Sequence, residues 1–425
     1  MAIKWLKRGG ERNEATSDAV REGVAEILAA VRAKGMAAVR TFAGRFDGHM
    51  GPLRVPGGHA TAALAAISPE VRNALSASIG NVRKFHALQR EALSPGEWEI
   101  SPGARAGFRY VPVESVGIYV PGGRYPLPSS AIMSVVPAQE AGVERIAAFS
   151  PPGRDGSING TTLAVLALLG VEEIWALGGA QAIAAMATGV SGDGEAIGKV
   201  DFIAGPGNAY VAEAKRAVYG DVGIDGVAGP SEVLIVADER ASVRFCASDL
   251  LAQSEHDPMA SAILVATDEA FAQRVMDELA ARLEELSTKE VAEASWHANG
   301  AVGVAETLAD AIGYANEIAP EHLQLALDDP RSALPQCRAY GAAFLGYSSS
   351  EVFGDYIAGT NHTLPTSGRA RFSSGLWTGS FMRTLTHLDL TREAAARLSQ
   401  DGATIAATEG LVAHRRALLA RGKGV

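Results

Sequence analysis

The chain has 425 residues, 47% of them hydrophobic and 20% charged, the balance of a globular protein with enough material for two or three packed units. Its 38 Lys and Arg stand against 48 Asp and Glu, a net charge of −10, which argues against a nucleic-acid partner because no basic excess is available to neutralise phosphates. Two cysteines, Cys246 and Cys337, exclude a disulfide framework and a four-sulfur zinc site. The N-terminus lacks the apolar core of a signal peptide, and the longest apolar stretch is interrupted by Glu172 and Glu173, so a cytoplasmic protein without membrane contact is expected.

In chain order, helices are expected over Ser17–Val31 and Pro69–Leu93, where apolar residues recur at helical spacing. From Ser115 the pattern changes. Short apolar runs start at Val116, Arg145, Glu173, Val200, Glu232 and Ala262, about thirty residues apart, the length of one strand–helix unit in a parallel sheet. Gly226–Pro230 reads as a seam between two halves. Further strands are expected at Leu323–Leu327 and Ala342–Gly346, a loop-rich stretch from Ser348 to Gly375, and an amphipathic helical tail from Thr391 to Leu419 with Gly402 as its weak point. The fold class is therefore α/β: two Rossmann-like parallel-sheet domains with helices on both faces, N-terminal helices and a helical tail. The expected boundaries are 1–105 (helices packing on the second α/β unit), 106–230 (first domain), 231–370 (second domain) and 371–425 (tail).

Three glycine-rich turns follow strands: Pro121-Gly122-Gly123, Gly178-Gly179-Ala180-Gln181 and Gly205-Pro206-Gly207-Asn208. Backbone N–H groups and helix N-termini at such turns favour anions, and the C-terminal edge of a parallel sheet is where ligands bind. None is the G-x-G-x-x-G fingerprint. Each alone reads equally well as a tight turn; three on one sheet edge favour a nucleotide or other anion.

A second signal is Gln253-Ser254-Glu255-His256-Asp257 at a helix end. Gln253 and His256, three apart, share a helix face and could hold one metal, with zinc or manganese suiting such a donor set; a hydrogen-bonded helix terminus explains them equally. Further candidate donors are Glu321-His322 before a strand, Asp355 in a loop with Asn361 and His362, and His414 five residues after Glu409. His49, His59, His86, His297 and His387 lack such company and read as structural. Neither cysteine has a glycine elbow or a neighbouring histidine in sequence, so any oxidation here is expected to use a carboxylate or metal-activated water in place of a thiolate.

Together these segments resemble the histidinol dehydrogenase family: Val116-Gly-Ile-Tyr-Val-Pro-Gly-Gly123, Gly178-Gly-Ala-Gln-Ala-Ile183, Gly205-Pro-Gly-Asn208, Ala228-Gly-Pro-Ser-Glu232, Asp249-Leu-Leu-Ala-Gln-Ser-Glu-His256, Ala319-Pro-Glu-His-Leu323, Gly354-Asp355 to Asn361-His-Thr-Leu-Pro-Thr366, and Glu409-Gly-Leu-Val-Ala-His414. The resemblance implies oxidation of a primary amino alcohol to a carboxylate in two steps with NAD, and a bound zinc without metal redox chemistry. Carried over motif by motif, it implies zinc ligands Gln253, His256, Asp355 and His414, the acid/base pair Glu321 and His322, NAD contacts Tyr119, Gln181 and Asn208, and substrate contacts Ser231 and Glu409 beside the ligands and the pair. It also implies a homodimer in which Glu409 and His414 come from the other chain. On this reading His322 takes the hydroxyl proton and Glu321 activates water for the second oxidation, which requires the backbone to turn at Pro320, since neighbours in a strand point to opposite faces.

Some segments depart from the pattern. Val190–Ile197 is longer than the family stretch, while Tyr125–Met133 and Gly375–Phe381 are partly similar to relatives that oxidise sulfopropanediol. Three readings follow: a zinc-assisted, NAD-dependent histidinol dehydrogenase; a paralogue acting on another small polar alcohol; and a non-catalytic metal- or nucleotide-binding homologue.

Overall fold

Strands Ser115–Tyr119, Arg145–Ser150, Glu173–Ala176, Phe202–Ala204 and Gly223–Ile224 form one parallel sheet in a computed structural model that describes residues 3–10, 17–122 and 126–422. Gly123 and Tyr125, singled out above, lie outside the described residues. Spatially, Ser115–Tyr119 sits between Arg145–Ser150 and Phe202–Ala204. The chain winds outward through Glu173–Ala176 and then returns to the other side of its first strand. That reversal opens a crevice at the C-terminal ends of Ser115–Tyr119 and Phe202–Ala204.

The second sheet has six strands, in the order Ile3–Lys7, Ala301–Ala305, Ser261–Ala266, Glu232–Ala237, His322–Ala326 and Ala342–Leu345. All neighbours are parallel except Ile3–Lys7, which runs antiparallel along Ala301–Ala305. Glu232–Ala237 is buried along its whole length, as a strand covered on both faces must be. Apolar clusters on each side of both sheets bury the helices' inner faces. The six apolar runs at thirty-residue spacing all became strands, four in the first sheet and two in the second, and the sheets part within the glycine-rich seam.

Three expectations need correction. The N-terminal helices pack chiefly on the first unit, and Pro69–Glu91 also reaches the second through Ser78 Oγ and Asn81 Nδ2, which donate to the Tyr356 and Ile357 carbonyls. Asp18–Lys34 presents Val24, Ile27, Leu28 and Val31 to helices Gly179–Thr188 and Ala209–Val218, and Pro69–Glu91 lies on Pro128–Ala141; only Ile3–Lys7 joins the second sheet. Residues expected to be helix or tail also include strands: Gly96–Ser101, Ala104–Pro112 and Met382–Leu390 make an antiparallel sheet, whose two-residue alternation at Trp98, Ile100 and Phe108, Tyr110 is a strand period. The tail breaks at Gly410, where φ is +73°, between helices Arg392–Thr408 and Val412–Gly422, while Gly402 continues the first of these. Among the described residues no helix is long and apolar enough to cross a membrane.

Candidate active site

Helix Val243–Ser254 follows strand Glu232–Ala237. A helix that crosses back over a parallel sheet delivers its C-terminal end to the strands' N-terminal edge. That edge is where Ser231, Glu321 and His322 precede or open the neighbouring strands, and His256, just past the helix end, lies in the field of His322 and Asp355 there. Helix Leu308–Ile318 ends at Ala319 in the left-handed region, φ +50°. This is the turn expected at Pro320, one residue earlier, and it lets Glu321 precede the strand while His322 opens it.

Glu321 and His322 consequently face each other, with His322 Nδ1 3.6 Å from Glu321 Oε2. Ser231 Oγ donates to Glu321 Oε2 at 2.6 Å and the Glu232 N–H donates to the same oxygen at 2.9 Å. His322 Nδ1 lies 3.1 Å from the Glu232 carbonyl oxygen. A carbonyl only accepts, so Nδ1 carries a proton, and in the neutral ring the lone pair is at Nε2. Nε2 is buried, has no hydrogen-bond partner, and stands 3.6 Å from Asp355 Oδ1. Asp355 is supplied by helix Glu351–Tyr356, which packs on Val243–Ser254.

Electrostatics bind the cluster together. Burial pushes Glu321 up to about 7, against the opposing pull of His322 and the hydrogen bonds from Ser231 and Glu232. For His322, burial favours the neutral ring, but Glu321, Asp355 and Glu351 outweigh it and raise the imidazole to about 10. Burial would raise Asp355, yet His322, His362 and His256 hold it below its ordinary value. His256 opens to the cleft, and the surrounding protein still lowers its pKa, leaving a neutral imidazole fit to ligate a cation.

Gln253, 1% exposed, has its amide Nε2 without a hydrogen-bond partner. A buried amide in that condition is costly unless something outside the chain completes it. Turned over, the same amide offers its oxygen, so Gln253 could serve as an oxygen donor beside the nitrogen of His256 and the oxygens of Asp355, donor types that zinc accepts. Among the described residues no three His, Cys, Asp or Glu side chains come close enough to hold a metal ion on their own. Glu409 and His414 are not brought to the cluster within one chain; both are exposed on the terminal helices, which pack chiefly on each other.

The three remaining candidates lie along the crevice of the first sheet. The Tyr119 hydroxyl accepts from Gly179 N at 3.2 Å, and burial pushes it up to about 12. Gln181 Nε2 donates to Asp47 Oδ2 at 3.2 Å. Asn208 Oδ1 caps helix Ala209–Val218 by accepting from Tyr210 N and Val211 N, both at 3.1 Å. The two edges meet in the same chain. Ser130, in the first turn of Pro128–Ala141, places Oγ 3.5 Å from His362 Nε2, and His362 shares the field of Asp355, His322 and His256.

Sequence reasoning assigned no role to His362, nor to a buried carboxyl pair behind His322. Ser350 Oγ lies 2.8 Å from Asp249 Oδ1 and 3.0 Å from Glu351 Oε2, and Gln324 Nε2 donates to Asp249 Oδ2 at 2.7 Å. One hydroxyl proton cannot serve two carboxylates, so one of the pair is protonated; burial and mutual repulsion push Glu351 up to about 8. The Asn361-His362 pairing next to Asp355 was the available signal for His362. Cys246 is no rival nucleophile, because burial pushes its thiol up to about 12.

A family model described as histidinol dehydrogenase matches residues 10–422. The chain belongs to the histidinol dehydrogenase family. It is 43% identical over 420 residues to histidinol dehydrogenase 1 of Nostoc sp., covering 98% of this chain and 95% of the relative. It is 45% identical over 408 residues to the histidinol dehydrogenase of Halalkalibacterium halodurans, covering 95% and 94% respectively. The crystal structure of histidinol dehydrogenase from Elizabethkingia anophelis superposes with a TM-score of 0.92 at 35% identity, over 97% of this chain and 94% of that one. As a histidinol dehydrogenase family member the protein is an enzyme, an oxidoreductase, and its α/β architecture is that of the family.

Proposed function

We propose that this enzyme oxidises L-histidinol to L-histidine through the aldehyde in two NAD-dependent steps, as a zinc-dependent homodimer serving histidine biosynthesis. The observation that carries the reading is the meeting of Glu321, His322, Asp355 and His256 at the N-terminal edge of the second sheet, beside the C-terminal edge of the first. Gln253, His256 and Asp355, with His414 of a second copy, would hold zinc, which supplies a Lewis-acid anchor for the substrate's amine and ring nitrogen. Tyr119, Gln181 and Asn208 would bind NAD, which supplies the hydride acceptor.

The chain's own groups then divide the work. His322 Nε2 takes the carbinol proton as hydride leaves the carbon, while the Glu232 carbonyl holds Nδ1–H and fixes the ring. A cation held by Asp355 would offset the carboxylates that keep His322 protonated and favour its basic form. Glu321 has one oxygen fixed by Ser231 and Glu232 N–H, leaving the other to take a proton from water as it attacks the aldehyde. Its value of about 7 suits a base working near neutral pH. Ser231 orients Glu321 and, with Glu409 of the second copy, lines the substrate space.

The test is NADH formation with added zinc across a panel of histidinol, other amino alcohols and sulfopropanediol. Two NADH per histidinol supports the proposal. Turnover of sulfopropanediol alone favours a paralogue with another substrate, and silence with every alcohol overturns both.

A further inference from the structure

Lys215 and Asp225 form an ion pair in the interior of the first unit, their side chains 4% and 1% exposed. Lys215 belongs to helix Ala209–Val218, and Asp225 directly follows the edge strand Gly223–Ile224. Both grip one residue: Asp225 Oδ2 accepts from Gly205 N at 2.8 Å, and Lys215 Nζ donates to the Gly205 carbonyl at 3.0 Å. Gly205 opens the turn Gly205-Pro206-Gly207-Asn208 at the crevice. Its φ is +116°, and a Cβ there would run into the backbone carbonyl of Tyr119, so the turn and Tyr119 are pressed against each other. Tyr119 in turn reaches the Gly178–Gln181 turn through Gly179 N.

Stability alone does not account for this pair. Desolvating two charges costs several kcal/mol, roughly what their attraction returns, and a well-packed apolar pair of similar volume commonly does as well or better. What an apolar pair cannot do is hold the N–H and the C=O of one glycine at the same time. We infer that Lys215 and Asp225 are positioning residues that lock the Gly205–Asn208 turn against Tyr119 in the shape that receives the dinucleotide. The inference rests on the NAD reading above, and no other side chain in the crevice needs to move for it to hold.

The experiment measures NAD affinity of the zinc-loaded enzyme by calorimetry, alongside thermal melting and steady-state kinetics. In the double variant Lys215→Met with Asp225→Leu neither charge is left unpaired but the Gly205 N–H and C=O lose their partners, so the melting temperature should fall by several degrees with the fold retained. Its NAD dissociation constant and KM for NAD should rise about tenfold or more, while KM for the alcohol stays unchanged and kcat changes little. If the double variant does not fold, Asp225→Glu keeps the charge and displaces it by one methylene; a weaker NAD affinity supports the inference in the same way. Parent-like NAD binding by whichever variant is folded overturns it. A parent enzyme that binds no NAD overturns the cofactor reading and the inference together, whereas a parent that binds NAD beside an unaffected variant removes the inference alone.

Discussion

Glu321 and His322 are sequence neighbours with opposite tasks, and the geometry that separates them is measurable. Glu321 works as a base only when ionised, and burial holds its proton on up to about pH 7. The kcat/KM for the aldehyde step should therefore fall as pH drops below about 7, tenfold per unit. In Glu321→Gln that limb should vanish with the step itself. Single-turnover assays of this variant should show the first hydride transfer within about tenfold of the parent and the second reduced by a factor on the order of 100 or more; equal loss of both would contradict the division. The residue types of this site were legible from sequence, as was Glu321 beside His322; Gln253 and His256 were expected on one helix face, but the helix ends at Ser254 and His256 lies just past it. The hydrogen bonds were not legible. Ser231 and Glu321 stand 90 positions apart, and only the register of Glu232–Ala237 against His322–Ala326 brings them together. The Asp249–Ser350–Glu351 cluster depends on the same long-range placement.

At the scale of elements, regular repetition was readable and isolated short pieces were not. Six apolar runs at one period define two parallel sheets because each run sits buried between two layers of helix. Ala301–Ala305 escaped notice: Ala-Val-Gly-Val-Ala is short and small, and it becomes a strand because Ser261–Ala266 lies ready to pair with it. Val190–Ile197, noticed only as an extra stretch, is a two-stranded hairpin, Val190–Gly192 against Glu195–Ile197. Asp193 and Gly194 both have positive φ, +52° and +79°, as a two-residue hairpin turn requires. Glu195 ties it down by accepting from Arg40 Nη2 at 2.6 Å and Arg54 N at 2.7 Å. A β-branched residue at the second turn position is strained, so Gly194→Val should lower stability by about 1–2 kcal/mol. Because the hairpin contributes no group to the site, kcat and both KM values should be unchanged, which melting and steady-state assays of one preparation will show.

For the whole molecule, the terminal helices leave Ile405 61% and Val412 58% exposed, with Leu398 and Leu411 also open, on the hairpin that carries Glu409 and His414. If each site takes these two residues from a second copy, two dead variants should repair each other. His414→Ala mixed with His322→Ala, unfolded and refolded together, should recover about a quarter of parent activity, since half the dimers are hybrids and each hybrid rebuilds one of two sites. No recovery, with hybrid dimers present by mass, would place both residues outside the partner's site. The path of the chain carries one more consequence. Among the described residues Ile3–Lys7 pairs in the sheet with Ala301–Ala305, which is made almost three hundred residues later. At translation speeds of about 5–20 residues per second that is a delay of roughly 15–60 s, during which Ile3 and Trp5, destined to pack beside Tyr314, have nowhere to go. The nascent chain thus carries an unpaired apolar segment through that interval, an invitation to holdase chaperones that ends when the second unit closes over it.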